Sequence, residues 1–187
     1  MAYTAFDRVV AWARFRVALP HVRTNSRVCD IGCGLESRFL NSYVRSKVCF
    51  GVGVDYQQLH AVKAGFPVVL CDITNGIPFQ SQQFDHVVML AVLEHLEQPC
   101  TVLAEIFRVL APQGSLIMTW PQALIDPLLN ALHGIGFVSR EMESGKHQPR
   151  IPFATLISMM ERIGFTGFEH RRFELGLNNL LVGYKPA

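Results

Sequence analysis

The residues best placed to do chemistry lie in one short stretch, Val28-Cys29-Asp30-Ile31-Gly32-Cys33-Gly34-Leu35-Glu36-Ser37. A brief apolar run meets an acid, and two glycines follow one residue apart. Glycine opens backbone angles closed to other residues, and without a side chain it lets a ligand lie against the main chain. A nucleotide-like ligand at the carboxyl end of a first strand is the chemistry this implies. The dinucleotide fingerprint carries a third glycine where this chain has Ser37, so a plain tight turn fits the pair as well. For proton transfer near neutral pH the chain has seven histidines, of which His95 and His147 stand closest to such positions. Its five cysteines include no pair of pairs with zinc-ligand spacing, so no metal site is expected. Cys29, Cys49 and Cys71 fall in strand-like runs and read as small buried hydrophobes.

The elements that must hold this stretch alternate. Residues 5 to 18 predict a helix with Phe6, Val9, Val10, Ala13 and Val17 on its apolar face, ended by Pro20. Arg27 to Ile31 is the first strand, and a helical stripe of Leu35, Phe39, Leu40, Tyr43 and Val44 follows the glycine turn. Lys47 to Val54 is the second strand, and Leu59, Ala61 and Val62 face a helix stopped by Gly65. Phe66 to Cys71 and Phe84 to Leu90 are the third and fourth strands, the latter apolar enough for a buried parallel position. A helix over Cys100 to Leu110 ends at Ala111-Pro112-Gln113-Gly114, before a fifth strand, Ser115 to Trp120. Ala123 to Leu132 reads as helix, His133 to Pro152 as an excursion over the sheet edge, and Phe153 to Ile163 as helix again. Phe165 to Phe173 and Leu177 to Tyr184 close the chain as an antiparallel pair.

Length and composition bound the rest. The 187 residues suit a single domain, 1–187, with one sizeable core. A hydrophobic share of 50% with 17% charged residues excludes a disordered or polyelectrolyte chain. The longest apolar run, Val87 to Leu93, is far short of a membrane span, and the first twenty residues lack the layout of a secretion signal, so a cytoplasmic location is expected. A net charge of +2 is too mild to indicate nucleic acid.

Alternating strands and helices finished by a hairpin resemble the class I S-adenosylmethionine-dependent methyltransferases. Val28 to Gly34 resembles their first motif, Gly53-Val54-Asp55 the second-strand acid, and Asp72-Ile73 the adenine-side pair, with Ile77-Pro78-Phe79 beyond. Phe84-Asp85-His86-Val87-Val88, Leu93-Glu94-His95-Leu96 and Arg108 to Ser115 match a small-molecule-modifying branch in order and spacing. The matches span residues 26 to 120, the expected cofactor half, leaving 121 to 152 as the variable acceptor side. Glu36 stands where the family usually has a further glycine. The resemblance implies an α/β Rossmann-like three-layer sandwich whose mostly parallel seven-stranded sheet runs in the order 3-2-1-4-5-7-6.

It also implies roles. Asp30 would lie near the positive methionine end of S-adenosyl-L-methionine, with Gly32 and Gly34 supplying backbone proximity and donors for the methionine carboxylate and Cys33 between them in the cofactor-binding turn. Asp55, beside Tyr56, would accept from both ribose hydroxyls; capping the next helix is its alternative. Asp72 would accept from the adenine amino group with Ile73 against the ring, or else close an Asx-turn at Thr74-Asn75-Gly76. Leu90 and Ala91 would face methionine and ribose, or simply pack. His95 or His147 is the candidate base for a hydroxyl acceptor, against a structural or solvated-loop role, and Trp120 a wall of its pocket. The expected partner is a small-molecule or glycan acceptor, methylated at oxygen, without nucleic acid or a membrane span. A nicotinamide-dependent oxidoreductase and a non-catalytic binding protein on the same fold are the alternatives.

Overall fold

A computed structural model describes residues 5–34, 37–56, 65–122 and 151–187. Its seven strands are β1 (Ser26–Ile31), β2 (Val48–Asp55), β3 (Val68–Leu70), β4 (Phe84–Leu90), β5 (Leu110–Pro121), β6 (Thr166–Phe173) and β7 (Asn178–Tyr184). They form one sheet in the order β3-β2-β1-β4-β5-β7-β6. β1 to β5 pair in parallel, and β7 is antiparallel to both β5 and β6. This is the predicted topology, hairpin included.

The described helices are α1 (Ala5–Ala18), α2 (Pro99–Val109) and α3 (Phe153–Ile163). Alternate side chains of the central strands point to opposite faces, and each face has its own core. Val87, Met89, Leu116, Met118 and Leu181 pack with Val102, Ile106, Leu156 and Met160 of α2 and α3. Val88, Ile117, Leu180 and Val182 pack with Ala18, Phe39, Leu40 and Val44 on the α1 side. Burial on both faces explains why Val87–Leu90 of β4 reads as an unbroken apolar run.

Several boundaries depart from the expectation. α1 is turned so that Phe15 meets Phe39 and Tyr43, with ring centroids 5.6 and 4.9 Å away. That rotation buries Val10 but leaves Val9 60% and Trp12 45% exposed. The stripe drawn through Val9 was therefore misplaced. Phe39–Val44 winds as a π-helix, which still buries Phe39, Leu40 and Val44. β3 is shorter than predicted. β5 starts at Leu110, because Ala111 to Gly114 bulge out of an extended strand rather than precede it. Across the bulge the pairing steps from Phe84–Leu110 to His86–Ser115. Cys29 is buried as expected, whereas Cys49 is exposed. The helices predicted around Leu59 to Val62 and over Ala123 to Leu132, and the excursion as far as Arg150, lie outside the described residues. No helix among the described residues is long and apolar enough to cross a membrane.

Candidate functional site

The parallel strands β1, β2 and β4 deliver their carboxyl ends to one edge of the sheet, where the glycine turn sits. Gly32 and Gly34 both adopt φ of 68°, a region that costs an L side chain about 1–2 kcal/mol. Gly32 donates its N–H to Val54 O at 2.8 Å, and Cys33 donates to the same oxygen at 3.3 Å. Gly34 donates to Asp55 Oδ2 at 3.0 Å. A Cβ on Gly32 would come within 2.3 Å of Val92 Cγ2, and one on Gly53 within 2.6 Å of Cys33 Sγ. The turn is thus clamped between the ends of β2 and β4. The sequence suggested that Gly32 and Gly34 offer donors to the methionine carboxylate. Both N–H groups are instead committed within the chain, so what the glycines contribute is close backbone approach.

Two acids line this turn. Asp30 is 3% and Asp55 9% exposed. Burial, and then the neighbouring Asp55 carboxylate, push the Asp30 pKa up to about 8. Among the described residues none donates a hydrogen bond to the Asp30 carboxyl group. Its charged form lacks internal compensation, and a positive group brought beside it would favour ionisation.

The other predicted residues spread outward. Tyr56 follows Asp55 but is 73% exposed. Asp72 is exposed, and its carboxylate accepts from Thr74 N at 3.0 Å, Thr74 Oγ1 at 2.7 Å and Asn75 Nδ2 at 3.1 Å. These bonds, with Thr74 foremost, hold its pKa below the usual carboxylate range. The Asx-turn alternative is therefore realised. Ile73 packs half-buried against the α2-side core. Leu90 and Ala91 are half-buried at the end of β4, where Ala91, at φ 59°, donates to Thr119 O at 2.9 Å. The short turn Leu93–His95 follows, with Glu94 buried and His95 exposed. His147 lies outside the described residues.

Sequence reasoning missed a second group, at the ends of β5 and β7. Asn179, 2% exposed, receives Gln122 Nε2 at 2.8 Å and faces His170 Nε2 at 3.1 Å, both at its Oδ1. The His170 ring lies 4.3 Å from Phe153 and 6.4 Å from Trp120, centroid to centroid. Only Trp120 carried a signal in the sequence. The others meet through antiparallel register, which no local pattern encodes.

Comparison with known proteins follows the same geometry. A methyltransferase-domain family model matches residues 29–118, from β1 through β5. The ubiquinone/menaquinone biosynthesis C-methyltransferase of Paraburkholderia phytofirmans is 26% identical over 94% of this chain and 82% of its own length. The ubiquinone biosynthesis O-methyltransferase of Pseudomonas fluorescens is 26% identical over 74% of this chain and 61% of its own length. In fold, an S-adenosylmethionine-dependent methyltransferase from Thermotoga maritima superposes with a TM-score of 0.71 at 19% identity, covering 95% of this chain and 90% of that one. The family model, the curated relatives and the fold agree in supporting this chain as a class I S-adenosylmethionine-dependent methyltransferase. It is an enzyme of methyl transfer, and S-adenosyl-L-methionine is its cofactor.

The residues present fit that cofactor. A buried acid without a counter-charge suits a ligand carrying a sulfonium and an ammonium group.

Proposed function

We propose that the chain transfers the methyl group of S-adenosyl-L-methionine to oxygen on a small-molecule or glycan acceptor. The observation that carries this reading is the acidic pair Asp30 and Asp55 flanking the Gly32–Gly34 turn at the carboxyl edge of the sheet. In this assignment Asp55 keeps one carboxylate oxygen on Gly34 and presents the carboxylate to the ribose hydroxyls. Asp30 sits beneath the positive end of the methionine moiety. Leu90 and Ala91 flank that moiety, and Ile73 lies on the adenine side with Tyr56 at the rim. Cys33 packs over Gly53 and keeps the turn seated.

The bound cofactor supplies an already activated methyl group. What remains for the chain is alignment and exclusion of water, with a proton acceptor where the substrate is a hydroxyl. His95, exposed beside Glu94, is one such acceptor within this assignment, and His147 is the other sequence candidate. Methylation at oxygen is supported by the resemblance to the Pseudomonas O-methyltransferase. Methylation at carbon is the second reading, favoured by the Paraburkholderia relative and its longer alignment.

Titration calorimetry with S-adenosylhomocysteine tests the site. Asp55→Ala is expected to weaken binding by about 1–3 kcal/mol, the scale for a removed buried hydrogen-bonding partner. An unchanged dissociation constant would falsify the ribose assignment. Methyl transfer from ¹³C-labelled cofactor then separates oxygen from carbon, because a methoxy carbon and a ring methyl resonate apart.

A further inference from the structure

We infer that Trp120, His170 and Asn179 form the acceptor-recognition subsite, and that it takes a flat aromatic ring bearing a free hydroxyl. The inference rests on the small-molecule methyl-transfer reading above and names the class of molecule it would accept.

The hydrogen bonds determine which atoms face outward. Asn179 Nδ2 lies 3.4 Å from Trp120 O. A backbone carbonyl can only accept, so the amide nitrogen must be on that side and the oxygen on the other. Both Gln122 Nε2 and His170 Nε2 point at that oxygen and must donate to it. His170 in its neutral form is therefore the Nε2–H tautomer. Its Nδ1 keeps a lone pair, with no hydrogen-bond partner among the described residues. A histidine whose far nitrogen is pinned by a buried amide is oriented in the way catalytic and recognition histidines are. The amide holding it is itself 2% exposed, whereas His170 is exposed.

The walls match a planar guest. Trp120 and His170 lie nearly parallel at 19°, and Phe153 backs His170 from the start of α3. Trp120 lies one residue before the end of β5, next to β4, whose Leu90 pairs with Thr119. The ring site therefore opens at the same carboxyl edge of the sheet as the residues assigned to the methionine end, on the α2–α3 face, whereas Leu90 packs on the α1 face. Aromatic faces favour aromatic partners, and the Nδ1 lone pair of the exposed His170 offers an acceptor to a hydroxyl. An aromatic hydroxyl supplies both, while an aliphatic alcohol or a glycan supplies only the second.

The chain has two tryptophans, so Trp12→Phe makes Trp120 the sole indole reporter. Catechol is expected to quench its fluorescence saturably. Veratrole, which has the same ring with both hydroxyls methylated, should bind roughly fivefold more weakly, the size of one lost hydrogen bond. His170→Phe, which keeps the stack and loses the lone pair, should erase that difference. If His170→Phe fails to fold, the catechol-to-veratrole ratio in the Trp12→Phe protein decides alone. Equal affinities there, or no saturable quenching while S-adenosylhomocysteine still raises the melting temperature, overturn the subsite and leave the cofactor reading intact. Saturable catechol binding without any response to S-adenosylhomocysteine would support the subsite and sink the proposed function instead.

Discussion

The two edges of the sheet handle buried polar groups in opposite ways. At the amino-terminal edge they are matched internally. His86 Nε2 accepts from Arg23 N at 3.1 Å, and its Nδ1 meets Ser115 Oγ at 2.8 Å. The part-buried Asp85 holds Arg27 through the backbone N–H, Nε and Nη2. Nearby, Glu105 and Arg108 pair with each other while binding the backbone of Ile77 and Phe79. At the carboxyl edge, among the described residues, the buried Asp30 carboxyl receives no hydrogen bond, and the hydroxyl of Thr119 and the amide oxygen of Asn178 are buried without partners. Buried polar groups are ordinarily satisfied, so unsatisfied ones concentrated at one edge mark where a polar ligand is to be received. The amino-terminal edge stabilises the fold, and the carboxyl edge is kept for chemistry.

The largest test of this contrast is Gly32→Ala. The new Cβ meets Val92 Cγ2 at 2.3 Å and must also hold a φ of 68°. Together, overpacking and left-handed strain should cost about 2–4 kcal/mol in denaturant unfolding. Adding Val92→Ala should recover the packing part and leave the backbone part. Full recovery would mean that φ at residue 32 carries no cost.

Next comes acid. Burial, acting more strongly than the nearby charges, lowers the His86 pKa to about 4, against an ordinary value near 6.5. Between those values the unfolded chain binds the extra proton, so stability must fall as pH drops from about 6.5 to about 4. The His86 share of that fall is about 3 kcal/mol at most. Thermal melts should show it, and His86→Gln, which cannot titrate, should flatten the curve across this window. A curve of unchanged slope would show that His86 is not held neutral.

Asp30 gives the opposite sign. Its folded pKa of about 8 lies above the ordinary carboxyl value, so the folded apoprotein binds the extra proton and loses stability as pH rises from about 4 to 8. Asp30→Asn should therefore stabilise the apoprotein more at pH 8 than at pH 5. It should also cost S-adenosylmethionine more affinity than S-adenosylhomocysteine, by about 1–2 kcal/mol for one lost charge contact in a partly screened site. Equal losses for the two ligands would detach Asp30 from the sulfonium.

Much of this was legible beforehand, for reasons that differ by region. The strand segments were readable because buried parallel strands such as Phe84–Leu90 announce themselves as apolar runs, and the short Glu174–Gly176 link forces an antiparallel partner, whereas the strand order came from the family resemblance. The glycine turn was readable because its backbone angles demand particular residues. The rotation of α1 was not, since it depends on where Phe15 finds Phe39 and Tyr43. His86, Ser115 and the amide of Arg23 meet across three separate segments, as do Gln122, Asn179 and His170, and register alone brings them together. The commitment of the Gly34 N–H to Asp55 was equally invisible, because it joins the ends of two strands.

The smallest effect expected is at Asp72, and it sharpens the contrast from the ligand side. Its carboxylate already closes the turn through Thr74 and Asn75, and it is exposed, so the matched state typical of the opposite edge recurs here in miniature. Asp72→Ala should lower the melting temperature slightly and reduce cofactor affinity less than Asp55→Ala does. Asp72→Asn keeps an acceptor for Thr74 but removes charge, so it should restore most of the melting temperature. If Asp72→Asn instead restores stability while losing as much affinity for S-adenosylhomocysteine as Asp55→Ala, the carboxylate is read by adenine as well as by the turn. The division between matched and waiting polar groups would then run through a single side chain, with Oδ1 serving the fold and Oδ2 shared between Asn75 and the ligand.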